Sequence, residues 1–150
     1  ELDDKHQFTL LCRDLSEIAN YATVDNVQFK QLKAHTPAPI TFILTATKDV
    51  PKKLAHAKKK TIGIRVPSNP IAQALLEAMD EPILTSSLIL PNRDDILDDP
   101  FEIEDLLGNQ IDGLINAGIK TTKLTTIVDM TSSVPEVIRQ GAADVDSLLL

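Results

Sequence analysis

Little in this chain is reactive by type. Cys12 is the one cysteine, so no disulfide framework can form and a reducing, cytoplasmic setting is expected. It lies in the apolar run Phe8-Thr9-Leu10-Leu11-Cys12, where an inert core thiol is expected rather than a nucleophile. His6, His35 and His56 are scattered, with neither an HExxH pattern nor a Cys–His spacing, so no structural metal is expected. The five glycines form no Walker loop and no GxGxxG, so a nucleotide would have to bind without a glycine-rich phosphate cradle. Tryptophan is absent and aromatics make up 3%, so contact with nucleic acid would depend little on base stacking. No apolar run approaches the roughly 18–20 residues of a membrane span, and no signal-peptide pattern is visible.

What is present suits one α/β domain. A length of 150 residues with 43% hydrophobic content can bury a sizeable core, and a single domain over 1–150 is expected. The net charge of −7 argues against generic polyanion binding, yet it is unevenly spread. From Lys48 to Arg65 seven bases face one acid, a local +6, and from Glu77 onward fifteen acids face four bases, a local −11. Such a gradient can steer an anionic partner to one region.

The chain is organised around Lys58–Leu90. Ile62, Ile64 and Val66 alternate with Thr61, Gly63 and Arg65, the period of a strand. Pro67 ends it, and Asn69-Pro70 reads as an N-cap followed by proline at the first helical position. Ile71, Ala74, Leu75, Ala78 and Met79 follow at helical spacing, and the run Ile83–Leu90, between Pro82 and Pro91, reads as a second strand. These lengths predict a βαβ unit with its two strands parallel. Strand parity puts Thr61, Gly63 and Arg65 on one face of the first strand, and Thr85 and Ser87 on one face of the second. Arg65 and Ser87 would lie near carboxyl ends, where open α/β sheets bind ligands. An arginine fork beside hydroxyls suits a carboxylate or phosphate; the alternative is a solvated sheet face with a snorkelling arginine.

Around this unit the pattern predicts a strand at Phe8–Cys12, a helix capped by Asp14, a helix over Asn26–Ala34 and a buried strand at Ile40–Leu44. A short helix is expected over Pro51–Lys60. Asn92–Pro100 reads as an acidic loop without the glycine-centred calcium pattern. A helix follows at Pro100–Leu107 with acids in its first turn. Strands are then expected at Asp112–Gly118, Thr125–Met130 and Val134–Arg139.

The run IGIRVPSNPIAQALLEA…PILTSSLILP, with HTPAPITFIL at His35–Leu44, TTIVDM at Thr125–Met130 and RQGAADV at Arg139–Val145, resembles the YrdC/YciO family, and within it the YciO branch. The likeness covers nearly the whole chain in order. It implies a twisted mixed α/β sheet with helices and a concave basic cavity. It also implies synthesis of threonylcarbamoyl-AMP from L-threonine, bicarbonate and ATP with release of pyrophosphate, for the tRNA modification t6A. ATP would come with Mg²⁺. By the same resemblance Arg65, Thr85 and Thr125 are expected to bind threonine. Thr61, Ser87 (the serine of the SAN motif) and Arg139 (the arginine of RxG) are expected to bind the nucleotide.

The sequence also departs from the family pattern. Ile89 stands where SAN has its asparagine, the KPL motif reads Phe8-Thr9-Leu10, and the glycine of PGPxT is Ala38. Isoleucine cannot make the hydrogen bonds of an asparagine. By the same resemblance the chain is expected to lack the N-terminal segment of the family domain, which carries the KxR motif. Three readings therefore stand: a synthase-like enzyme, a module binding double-stranded RNA or tRNA, and a binding or regulatory paralogue without turnover. For the RNA reading Lys52, Lys53, Lys58, Lys59 and Lys60 would supply phosphate contacts; the alternative is a solvated helix face.

Overall fold

Among the described residues seven strands and four helices form, following the alternating and helical patterns of the sequence. The computed structural model describes residues 8–51, 54–56 and 60–148. In chain order these are β1 (Thr9–Leu11), α1 (Leu15–Tyr21), β2 (Ala22–Thr23), α2 (Asn26–Ala34), β3 (Ile40–Ala46), β4 (Thr61–Arg65), α3 (Pro70–Met79), β5 (Ile83–Thr85), α4 (Pro100–Leu107), β6 (Thr126–Asp129) and β7 (Glu136–Arg139), with a 3-10 turn at Asp146–Leu148. The strands form one mixed sheet in the order β5-β1-β4-β3-β6-β7, with β2 paired to β3. The chain is thus an α/β protein with the mixed sheet expected of it.

The helices begin at side-chain caps. Asp14 accepts from the backbone N–H groups of Ser16 and Glu17, and Asp25 forms a capping box with Gln28. Asn69 caps α3 with Pro70 behind it, and Asp99 caps α4. Each cap satisfies amide donors that the first helical turn leaves without partners.

Two compact units divide the chain. One holds the sheet and comprises the chain up to Ser86 together with Thr125 onward; the other is Ser87–Leu124. In the first, one face of the sheet carries Leu10, Cys12, Ile40, Phe42, Leu44, Ile62, Ile64, Val128 and Met130. These side chains pack in a single core with Ile18 of α1 and Leu32 of α2. Burial of this apolar area is the main favourable contribution to folding. The second unit contains α4 and otherwise irregular chain, with Arg93 ion-paired to Glu102 at 2.7 Å and to Asp95 at 3.2 Å.

Several expectations need correction. β4 and β5 are not a parallel pair: β1 lies between them, parallel to β4 and antiparallel to β5. Through Leu11, Ile83 at the start of β5 is level with Arg65 at the end of β4. α3 therefore returns the chain to the end of the sheet it left, and β5 must run back the other way. The second strand also ends at Thr85, not Leu90, because its ladder extends only along the three residues of β1. Asp112–Gly118 forms no strand, having no partner strand in its unit, and Gly118 there adopts a left-handed φ of 79°. Of the helix expected at Pro51–Lys60, residues 52–53 and 57–59 lie outside the described residues. The described residues of that stretch make turn hydrogen bonds, Leu54 N–H to Pro51 O and Lys60 N–H to His56 O, between antiparallel β3 and β4.

Thr126 is fully buried on the core face of β6. Its hydroxyl donates to Ala143 O at 2.6 Å and accepts from Gly141 N at 3.0 Å and Ala143 N at 3.2 Å. This holds the segment that delivers Val145 and Leu148 to the core. Thr126→Val keeps the shape but orphans these backbone groups, so the urea unfolding free energy should fall by about 1–3 kcal/mol; an unchanged midpoint would contradict the assignment. Cys12 is inaccessible, and burial, with the carboxylates of Glu17 and Asp14 adding to it, pushes its thiol up to about 12. Because only the thiolate reacts, a disulfide reagent at pH 8 should leave the native thiol unmodified and label it fully in denaturant. Rapid native labelling would show that β1 opens.

Candidate anion-binding site

The strands' second face is set by the same alternation that builds the core. Thr9 pairs with Gly63 and with Thr85, Thr45 with Thr61, and Leu11 with Arg65. Residues opposite one another in a ladder share a face, so Thr61, Gly63, Arg65 and Thr85 lie on the face opposite the core. The parity expected from the sequence holds for these four. Across β3, Thr41 pairs with Ile127, which pairs with Arg139. Thr125, just before β6, joins the same side: its hydroxyl lies 2.9 Å from that of Thr41.

The result is a sheet surface of hydroxyls between two arginines. Thr41 and Thr61 are buried, and Thr9, Thr85 and Thr125 are half-buried. Thr85 donates to Thr9 O at 2.9 Å, which fastens the edge strand β5 to β1. Arg139 donates through Nε and Nη2 to Thr125 O, at 3.1 and 2.8 Å, and also reaches the Thr125 hydroxyl at 3.3 Å. This guanidinium ties β7 to the entry of β6 and orients Thr125.

Arg65 is different. Arg13 is paired with Asp80, Arg93 with Glu102 and Asp95, and Arg139 with the Thr125 carbonyl. The Arg65 side chain has no hydrogen-bond or ion-pair partner among the described residues, and its Nε is buried and unsatisfied. Burial lowers its pKa from the ordinary arginine value, although a guanidinium remains charged at any physiological pH. A half-buried guanidinium whose buried Nε finds no acceptor carries a cost. A carboxylate or phosphate placed in its planar fork would remove that cost through two parallel hydrogen bonds.

The other expected residues are placed as follows. Ser87 lies beyond β5, in the second unit, outside any strand. Lys60 is exposed, with a left-handed φ of 51°, immediately before β4. Lys52, Lys53, Lys58 and Lys59 lie outside the described residues. Thr9 and Thr41 were not singled out from the sequence, although each alternates with core residues (Leu10; Ile40 and Phe42) and so belongs to the hydroxyl face.

Comparison with known proteins places these features in context. Residues 1–141 match the family Sua5_yciO_yrdC, described as telomere recombination. The chain is 52% identical over 149 residues to the uncharacterised protein YciO of Escherichia coli, which spans 99% of this chain and 72% of the relative. The crystal structure of that protein superposes with a TM-score of 0.92. A putative threonylcarbamoyl-AMP synthase of Methanocaldococcus jannaschii is 28% identical over 144 residues, 93% of this chain and 65% of the relative. Two more distant structures share the fold. Pyrococcus abyssi Sua5 complexed with L-threonine has TM-score 0.82 and 20% identity, over 93% of this chain and 41% of that one. Full-length HypF in a phosphate- and nucleotide-bound form has TM-score 0.73 and 23% identity, over 91% and 21%. Distant relatives thus bind threonine and nucleotide.

If Arg65 is held for a ligand rather than for the fold, removing its charge should stabilise the free protein. Arg65→Met keeps the aliphatic stem and abolishes the unsatisfied donor. It should raise the unfolding free energy by about 1–2 kcal/mol, the scale of an orphaned buried polar group, as read by urea denaturation. A loss of stability of that size would mean that the guanidinium supports the fold.

Proposed function

Because this chain belongs to the Sua5/YciO/YrdC family, we propose that it is a threonylcarbamoyl-AMP synthase-like protein acting on L-threonine, bicarbonate and ATP. One observation carries this reading: a half-buried arginine whose buried Nε has no partner, set among threonine hydroxyls on the face of the sheet opposite the core. Arg65 takes the threonine carboxylate in its fork, with the hydroxyls of Thr85 and Thr125 beside it. Holding the carboxylate leaves the amino nitrogen to condense with bicarbonate, losing water and giving a carbamate. A carbamate oxygen then attacks the α-phosphorus of ATP, and the bond to pyrophosphate breaks.

The nucleotide is assigned to Thr61 and Arg139 on the sheet. Among the described residues no three His, Cys, Asp or Glu side chains converge as metal ligands. Mg²⁺ would therefore enter on the ATP phosphates, as it does where no protein cage is provided. Ile89 supplies no hydrogen bond to a nucleotide, so turnover is expected to be weak. The product would serve tRNA modification. No described helix is long and apolar enough to cross a membrane.

Pyrophosphate release from ATP that depends on both L-threonine and bicarbonate is the direct assay. Arg65→Ala should lower kcat/KM by about 2–4 kcal/mol of transition-state stabilisation, and Ile89→Asn should not lower it. Full activity in Arg65→Ala would remove the arginine from the site. Release that is indifferent to threonine would remove the substrate assignment.

A further inference from the structure

The chain has a single Asp-Gly step, Asp112-Gly113; its other glycines follow Ile62, Leu107, Ala117 and Gln140. The step lies in the second unit, in a stretch where every residue from 108 to 123 is exposed and neither helix nor strand forms. Among the described residues the Asp112 carboxylate has no hydrogen-bond or ion-pair partner, and the Gly113 N–H donates to no acceptor. A backbone amide in a helix or strand is held by its hydrogen bond; this one is not. A Cβ added to Gly113 would meet nothing within 4 Å, and Gly113 is not among the residues of positive φ. Glycine lets the backbone turn with the least steric resistance, so the Gly113 nitrogen can reach the carboxyl carbon of Asp112.

Other aspartates of the chain are held or blocked. Asp129 accepts from the Thr131 N–H and hydroxyl, and Asp98 from the Thr122 N–H. Asp99 precedes Pro100, whose nitrogen has no proton to lose.

We propose that Asp112 is a site of spontaneous isoaspartate formation. The Gly113 nitrogen attacks Asp112 Cγ and gives up its proton, a carboxyl oxygen leaves as water, and a succinimide ring closes. Water then adds to one of the ring carbonyls. Addition at Cγ restores aspartate. Addition at the former backbone carbonyl breaks the bond from that carbon to the Gly113 nitrogen. The main chain then runs through Cβ and Cγ, and the old backbone carbonyl becomes a free carboxylate. One water is released and one is taken up, so mass and charge are unchanged and no oxidant or reductant is needed. The extra methylene in the main chain meets no ladder that it could break, because the segment pairs with no strand. The displaced carboxylate is the group that a repair methyltransferase using S-adenosylmethionine esterifies, so an enzyme of that class is the partner this segment fits. The inference is independent of any ligand at Arg65.

The test is to hold the purified protein at neutral pH for several weeks and sample it over time. Two readouts are taken: methyl transfer from labelled S-adenosylmethionine by an isoaspartyl methyltransferase, and cleavage before residue 112 by a protease that cuts at aspartate but not at isoaspartate. Methyl incorporation should rise with time, map to the peptide containing Asp112, and match the loss of cleavage there. Gly113→Ala, for which the fold leaves room, should slow the rise by about tenfold, which corresponds to about 1.4 kcal/mol in the barrier. Asp112→Glu should abolish it, since ring closure would then have to form the less accessible glutarimide. A free peptide of residues 108–118 should react at a rate close to that of the folded chain. A folded-chain rate more than about tenfold below the peptide's would mean that the fold must open locally before Asp112 can react, and would overturn the proposal. It would also be overturned by methyl groups spread evenly over other aspartates, by a Gly113→Ala rate equal to the wild type's, or by a signal that persists in Asp112→Glu.

Discussion

The sheet's two faces can be kept apart only if its strands hold one register. Because side chains alternate with period two, a slip of one residue in any strand would exchange its faces. In β4 that would send Ile62 and Ile64 out of the core and drive Arg65 into it. The apolar alternation on the core side is therefore also what keeps the other side polar. Thr126 is the exception on the core side, and it is tolerated because its hydroxyl makes three hydrogen bonds to backbone.

Threonine serves both demands on the open face. A β-branched side chain suits a strand, and the hydroxyl gives the same position a donor and an acceptor. The face can thus be polar without weakening the ladder beneath it. Two of its positions go against local stability: Gly63, which has no side chain to pack, and Arg65, whose half-buried side chain leaves a buried Nε without a partner. Both lie on β4, two residues apart. Where a fold carries such departures side by side, function is the expected reason.

The two arginines on this surface divide the work. Arg139 is occupied with the carbonyl and hydroxyl of Thr125, so it gives shape to the surface before any ligand arrives. Arg65 is unoccupied, so it supplies attraction. A single strongly placed cation is compatible with a chain of net charge −7, because the field at the site depends on the nearest charge in a low-dielectric setting and not on the molecular total.

Local pattern determined much of this protein. The caps at Asp14 and Asn69, the helices Asn26–Ala34 and Pro100–Leu107, the inert Cys12 and the common face of Thr61, Gly63 and Arg65 all follow from residue type and period, because each depends only on neighbours a few positions away. Strand direction and strand partners were decided by the tertiary structure. Nothing in the alternation of Ile83–Leu90 says that β5 would lie antiparallel on β1, or that its ladder would stop at Thr85. The strand expected at Asp112–Gly118 failed for the same reason, since a strand exists only where another offers its backbone hydrogen bonds. Only the folded sheet brings Thr9, 54 positions earlier in the chain, against Gly63, and only it leaves the Arg65 Nε buried without a partner. A period of two can say which side chains share a face, but which strands lie side by side is a property of the whole chain.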